Sequence, residues 1–179
     1  AELLNSAVGL AVQEVGKQKK RITMNSGAAA SRLTGSDCSP YGVHWTYDTY
    51  ALSNGTGKAM VKQGGDTWYF LTADYAFGKN LEKDTTTVVK ANGGKVLGSV
   101  LHPLSSSDFS GYLLQAQASK AKVIGLANAG GDTINSVKQA NEFGITQGGQ
   151  KLAGLLVFDT DIDSIGLPIA QGMYLTTGF

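Results

Sequence analysis

The chain is poor in the residues that usually announce a chemistry. It has one cysteine among 179 residues, Cys38, which can form no disulfide within the chain. Its GSDCSPYG surroundings are turn-forming and not electropositive, so an activated thiolate is excluded, and cysteine usage leaves the redox compartment open. Two histidines, His44 and His102, fall in unrelated segments, which gives neither a metal cluster nor a catalytic triad by spacing. Charged residues make up only 16%, with a formal net charge of +1. The single basic run, KQKKR from Lys17 to Arg21, closes a helix-like segment, where cations complement the helix dipole, so nothing points to nucleic acid. No stretch approaches the ~20 apolar residues of a membrane span. Apolar residues make up 42% of the chain, which suffices for a packed core.

Three tempting motifs also fail on their physics. Asn54-Gly55-Thr56-Gly57-Lys58 resembles a phosphate loop, but Leu52 stands where its first glycine belongs and Ala59 where a Mg²⁺-binding hydroxyl belongs. Asp159, Asp161 and Asp163 alternate like a calcium loop, yet Ser164 replaces the turn glycine and Ala170 the bidentate glutamate. Asn128-Ala129-Gly130-Gly131 follows a strand-like run without being a dinucleotide fingerprint.

What is there is a rhythm. Short β-branched and aromatic runs predict strands over 22–25, 68–73, 95–101, 123–127, 152–158 and 173–176. Between them, i, i+3, i+4 apolar spacing predicts helices over 3–15, 47–63, 80–91, 109–119 and 133–143, and a Gly/Ser/Pro-rich stretch occupies 26–41. Alternating strands and helices imply right-handed crossovers and an α/β fold with parallel sheets flanked by helices. In such sheets ligands sit beyond the carboxyl ends of the strands, where this sequence turns abruptly to Ser, Gly, Asp, Tyr and Asn. These residues supply no nucleophile–base pair, so the site reads as one that holds a molecule without transforming it. The opening AELLNSAVGLAVQEV has mid-helix character and the chain ends within a strand-like run, so a piece of a longer protein is expected.

Taken together, NSGAAASRLTG (25–35), HWTYDTYALSNGT (44–56), TWYFLTADYAFG (67–78), SSSDFSGYLLQAQASKAKVIGLANAGGD (105–132), QANEFGI (139–145) and GLLVFDTDID (154–163) carry a family likeness. The chain resembles type I periplasmic solute-binding proteins of ABC transporters, of the branched-chain amino-acid class. That resemblance implies residues 1–35 as a remnant of the amino-terminal lobe with the crossing, and 36–179 as most of the second lobe. It also implies a periplasmic, non-enzymatic carrier with no cofactor or metal, an ABC permease as partner, and a small carboxylate as ligand. A ligand-sensing domain of a receptor or regulator on the same fold is the alternative, and a flavodoxin-like enzyme is disfavoured by the missing phosphate loop.

Carried over residue by residue, Ser26, Gly27, Ala28 and Ala29 align with the loop that grips the ligand carboxylate through backbone N–H groups and a hydroxyl. Ala29 replaces a frequent Thr or Ser there, leaving Ser26 as the hydroxyl. Tyr75 stands at the position of an aromatic cleft residue. Asn128 and Ala129 replace the tyrosine region that closes over leucine. Asp159 aligns with the acid that pairs with the ligand's ammonium. The segment HWTYDTYAL is similar to a branch that carries benzoate-like acids, with Tyr47 placed to stack on a ring. The helix over 3–15 and the strand after it are expected to pack on the missing lobe, to leave their usual position, or to associate with another copy of the chain.

Overall fold

The structure, a computed structural model, describes residues 3–178. Its centre is β5 (Val123–Ala127), a run of five residues without a polar side chain, all buried. A strand so placed needs cover on both faces, and the alternation of its side chains supplies two cores. Val123 and Ala127 point to one, Ile124 and Leu126 to the other. The neighbouring β3 (Thr67–Ala73) repeats the pattern, with Trp68 and Phe70 on the first side and Leu71 on the second. Phe70 sits opposite Gly125, where a Cβ would come within 2.7 Å of its ring and 3.1 Å of Trp68. The glycine therefore makes room for two aromatic rings, whose centroids lie 5.7 Å apart.

With β4 (Lys95–His102), β6 (Lys151–Gly154) and β7 (Tyr174–Leu175), these strands form a five-stranded sheet of order β4-β3-β5-β6-β7, every pair parallel. Helices α2 (Thr49–Lys62) and α3 (Ala76–Ala91) cover the first face through Leu52, Met60, Phe77, Leu81 and Val89. Helices α4 (Ser110–Ala118) and α5 (Gly131–Glu142) cover the second through Phe109, Leu113, Ala116, Val137 and Ala140. Two short helices, α6 (Asp159–Ile165) and α7 (Leu167–Ala170), lie between β6 and β7. The expected α/β fold of parallel sheets flanked by helices is the one observed.

A second, two-stranded parallel sheet pairs β1 (Thr23–Asn25) with β2 (Gly42–His44). It is packed by α1 (Ser6–Lys19), which Asn5 caps by accepting the N–H groups of Ala7 and Val8. Here the sequence expectation needs correcting. The apolar positions Leu4, Val8 and Val15 lie exposed, and the buried stripe is Ser6, Gly9, Gln13 and Gly16. Small residues win that face because the chain approaches closely: a Cβ on Gly9 would come within 2.7 Å of Ala28 Cβ. Gln13 completes the contact by donating from Nε2 to the carbonyls of Leu33 (2.8 Å) and Asp37 (2.7 Å). Four described elements lie outside the expected set: β2, α6, α7 and a 3-10 turn over Ser31–Leu33. The strand expected over 152–158 ends at Gly154, because Phe158 already opens α6, its N–H bound by Asp161 Oδ2 at 2.9 Å.

Replacing Gln13 by leucine keeps the volume and strands two carbonyls in a buried contact. An unsatisfied buried group costs about 1–3 kcal/mol, so Gln13→Leu is expected to lower stability by at least about 1 kcal/mol in urea denaturation. An unchanged midpoint would show that water reaches these carbonyls.

Candidate functional site

Parallel pairing brings the carboxyl ends of β3, β5 and β6 to one edge, and the segments that follow them build a cavity of about 320 Å³. Tyr75 and Phe77 come from the start of α3, Ala129 and Gly130 from the turn before α5, Leu156 and Phe158 from the turn before α6. The opposite wall is Leu4, Gly27 and Ala29 beside α1, and Tyr47 ahead of α2. Among the described residues, none that lines the cavity carries an ionisable acid or base other than the two tyrosine phenols. The rings pair within the wall: Tyr47 with Phe158 at 6.1 Å, Tyr75 with Phe77 at 5.9 Å between centroids. A larger groove of about 570 Å³ runs along Ile162, Leu167, Pro168, Ala170, Gln171 and Leu175. It lies beside α6 and α7 and offers a single polar side chain, so convergence of polar groups favours the smaller cavity.

Helices α3 and α5 start at this rim without a side-chain cap, their N-cap residues being Tyr75 and Gly130. The α3 start has no acid in its first turn, so its positive dipole end favours a negatively charged guest, whereas that of α5 is offset by the buried Asp132 in its own first turn. Burial raises both phenols further above their ordinary value. Tyr75 is pushed up to about 12, first by desolvation and then by the negative charge of Asp132 and by Tyr47. Tyr47 is raised by desolvation and by Asp161. Both hydroxyls, like any tyrosine's, are hydrogen-bond donors at neutral pH.

Of the residues singled out in the sequence, Gly27, Ala29, Tyr47 and Tyr75 meet in the cavity. Ser26 is exposed beside it and does not line it. Ala28 is buried, and its polar groups are engaged: Asn25 accepts its N–H at 2.9 Å, while Asn25 Nδ2 and His44 Nε2 reach its carbonyl at 2.7 and 2.8 Å. The other loop amides are occupied too, Gly27 by Asn25 Oδ1 and Ala29 by Ser6 Oγ, each at 3.2 Å. Asn128 is fully buried behind the wall, where it joins His102 Nε2 and Thr133 Oγ1. Asp159 is exposed at the start of α6, its Oδ1 accepting the Thr160 N–H at 2.9 Å. Leu4, Phe77, Ala129, Gly130, Leu156 and Phe158 complete the lining. Phe77 is readable as an aromatic residue just past a strand, whereas Phe158 falls inside the strand expected over 152–158 and nothing local distinguishes Leu4 or Leu156.

With that geometry in place, comparison with known proteins is informative. The family described as periplasmic binding protein matches residues 1–179. The chain belongs to the periplasmic binding protein family. A periplasmic binding protein from Burkholderia mallei is similar at 62% identity and a TM-score of 0.92, over 94% of this chain and 45% of that one. A branched chain amino acid ABC transporter periplasmic ligand-binding protein from Burkholderia xenovorans LB400 shares 34% identity with a TM-score of 0.81, over 97% and 46%. A solute-binding protein of an ABC transporter from Rhodopseudomonas palustris BisB5, in complex with 3,4-dihydroxybenzoic acid, shares 26% with a TM-score of 0.72, over 82% and 40%. The chain thus spans under half of these proteins, and 32% of the length of the curated relatives it matches. The family and its structural neighbours are solute-binding proteins, not enzymes. Among the described residues no helix is long and apolar enough to cross a membrane.

The Tyr75 phenol gives a testable pH dependence. Its folded value lies above the ordinary 10, so the folded state holds this proton more tightly than the unfolded chain does. The resulting stability is present below pH about 10 and is lost as pH rises toward about 12. Tyr75→Phe should flatten the alkaline fall of the denaturation midpoint over that window. Equal slopes in the two proteins would refute the assignment.

Proposed function

We propose that this chain is the ligand-holding part of an extracytoplasmic solute-binding protein of an ABC importer, and that its cargo is a small aromatic carboxylate. The observation that carries this reading is the wall itself: four aromatic rings, two of them with phenol donors, and no ionised side chain. An amino acid brings an ammonium that needs a carboxylate partner, since an unpaired charge is costly to bury. The aligned acid, Asp159, faces solvent and serves its own helix end. A benzoate-like acid needs only ring contacts, at about 0.5–1.5 kcal/mol per aromatic pair beyond area burial, and a positive rim for its carboxylate. The dihydroxybenzoate-bound relative supports the same class. In this reading the protein works in the periplasm and delivers its cargo to a membrane permease. Helix α1 with the β1–β2 sheet belongs to one lobe and the five-stranded sheet to the other. Because β2 pairs with β1, we place the crossing between lobes after His44 and not near residue 35.

The test is calorimetric titration of the full-length protein with benzoate and with leucine. Tyr47→Ala and Tyr75→Ala should each weaken benzoate roughly tenfold or more, a loss of about 1.4 kcal/mol, while Asp159→Asn should leave it within about twofold. Leucine binding that Asp159→Asn weakens about tenfold would overturn the aromatic-acid reading in favour of an amino acid.

A further inference from the structure

The ring of Tyr47 is held from an unexpected quarter. Residues 176–178, which follow β7, pass over the amino-terminal half of α2 and end against this side chain. Thr176 anchors the passage. Its Oγ1 accepts the Thr56 N–H at 3.1 Å, shares a hydrogen bond with Thr56 Oγ1 and reaches the Leu52 carbonyl at 3.2 Å. Its backbone is fixed as well, N–H to the Gly154 carbonyl and carbonyl to the Val157 N–H, both at 3.0 Å. Gly55 permits the approach, because a Cβ there would come within 3.1 Å of Thr176 Oγ1. Two residues on, Gly178 lies against the Tyr47 ring, and a Cβ built on it would overlap Cδ1 and Cε1. Its φ lies outside the left-handed region, so backbone conformation does not demand glycine there. The ring does.

We propose that residues 176–178 form a strap that positions Tyr47 in the cavity wall, and that Gly178 is a specificity-determining residue through the side chain it lacks. With Phe158 at 6.1 Å on the ring and the strap against it, Tyr47 has one place to stand. A side chain at position 178 displaces the ring and changes the slot that an aromatic guest must enter. A lost contact of this kind acts on affinity through misplacement, even though Gly178 itself lines none of the cavity. The binding arm of the test rests on the aromatic-acid reading; the titration arm does not.

The experiment is a double-mutant cycle in the full-length protein, with benzoate as probe. Gly178→Ala should weaken benzoate about tenfold alone and by less than about twofold in a Tyr47→Ala background, since the collision is with the ring. An equal loss in both backgrounds, or no loss in either, would overturn the strap. Where Gly178→Ala impairs folding, Thr176→Val removes the hydroxyl anchor without a collision and should weaken binding in the same Tyr47-dependent way. Ultraviolet titration of the phenols gives a readout without ligand: freeing the ring from its buried position should bring the Tyr47 ionisation back toward the ordinary tyrosine value. Should the parent protein ignore benzoate, the aromatic-acid reading falls, and this titration still decides the strap, with an unchanged Tyr47 ionisation counting against it.

Discussion

The parallel pairing of β3 with β5, the latter wholly buried and the former buried over Phe70–Ala73, is the constraint from which the other features descend. Parallel neighbours cannot be joined by a tight turn, so each must be followed by a helix that returns the chain to the starting edge. Strand exits and helix entries then share one edge of the sheet. The rings, the glycines and the uncapped helix starts arrive together there because the topology leaves them no other place. Gly125 makes this centre possible at close range by yielding its space to Phe70 and Trp68. The two cores on either side of the sheet are consequences of the same alternation.

Much of this architecture was legible in the residues. Short β-branched and aromatic runs gave β3, β4 and β5 almost to the residue, and the helix expected to end at residue 91 does so, with Gly93 just beyond it at a φ of +87°. What escaped notice was set by tertiary contact. The face of α1 that looks apolar is the one left outside, because closeness of packing outweighed hydrophobicity and selected Ser6, Gly9 and Gly16. Strand β2 is three residues long and stands only through its pairing with β1, so no periodicity could announce it. Helices α6 and α7 hide among aspartates and a proline that read equally well as a loop.

The candidate site was partly legible for a similar reason. Tyr47 and Tyr75 are visible because an aromatic residue beyond an apolar run is out of place unless something receives it. Asn128 shows the opposite case. A polar residue at a strand exit can turn inward, and here it joins His102 and Thr133 to fasten the loop whose next residues, Ala129 and Gly130, face the cavity. Asn25 acts alike on the facing wall, with one side chain serving two N–H groups and a carbonyl of the 26–28 turn. Both walls are therefore shaped by buried amides that never meet the contents.

The cavity is also continuous with the first core. Ala29, Phe77 and Leu156 belong to that buried cluster, and Tyr47, Tyr75, Ala129 and Phe158 pack against it. The cavity is thus the place where the interior stops short of completion, and in the proposed function a flat apolar guest would stand in for a side chain there. Under the function proposed above, recognition would be a form of folding in which the last core residue arrives from outside and is chosen by its outline, as a side chain is.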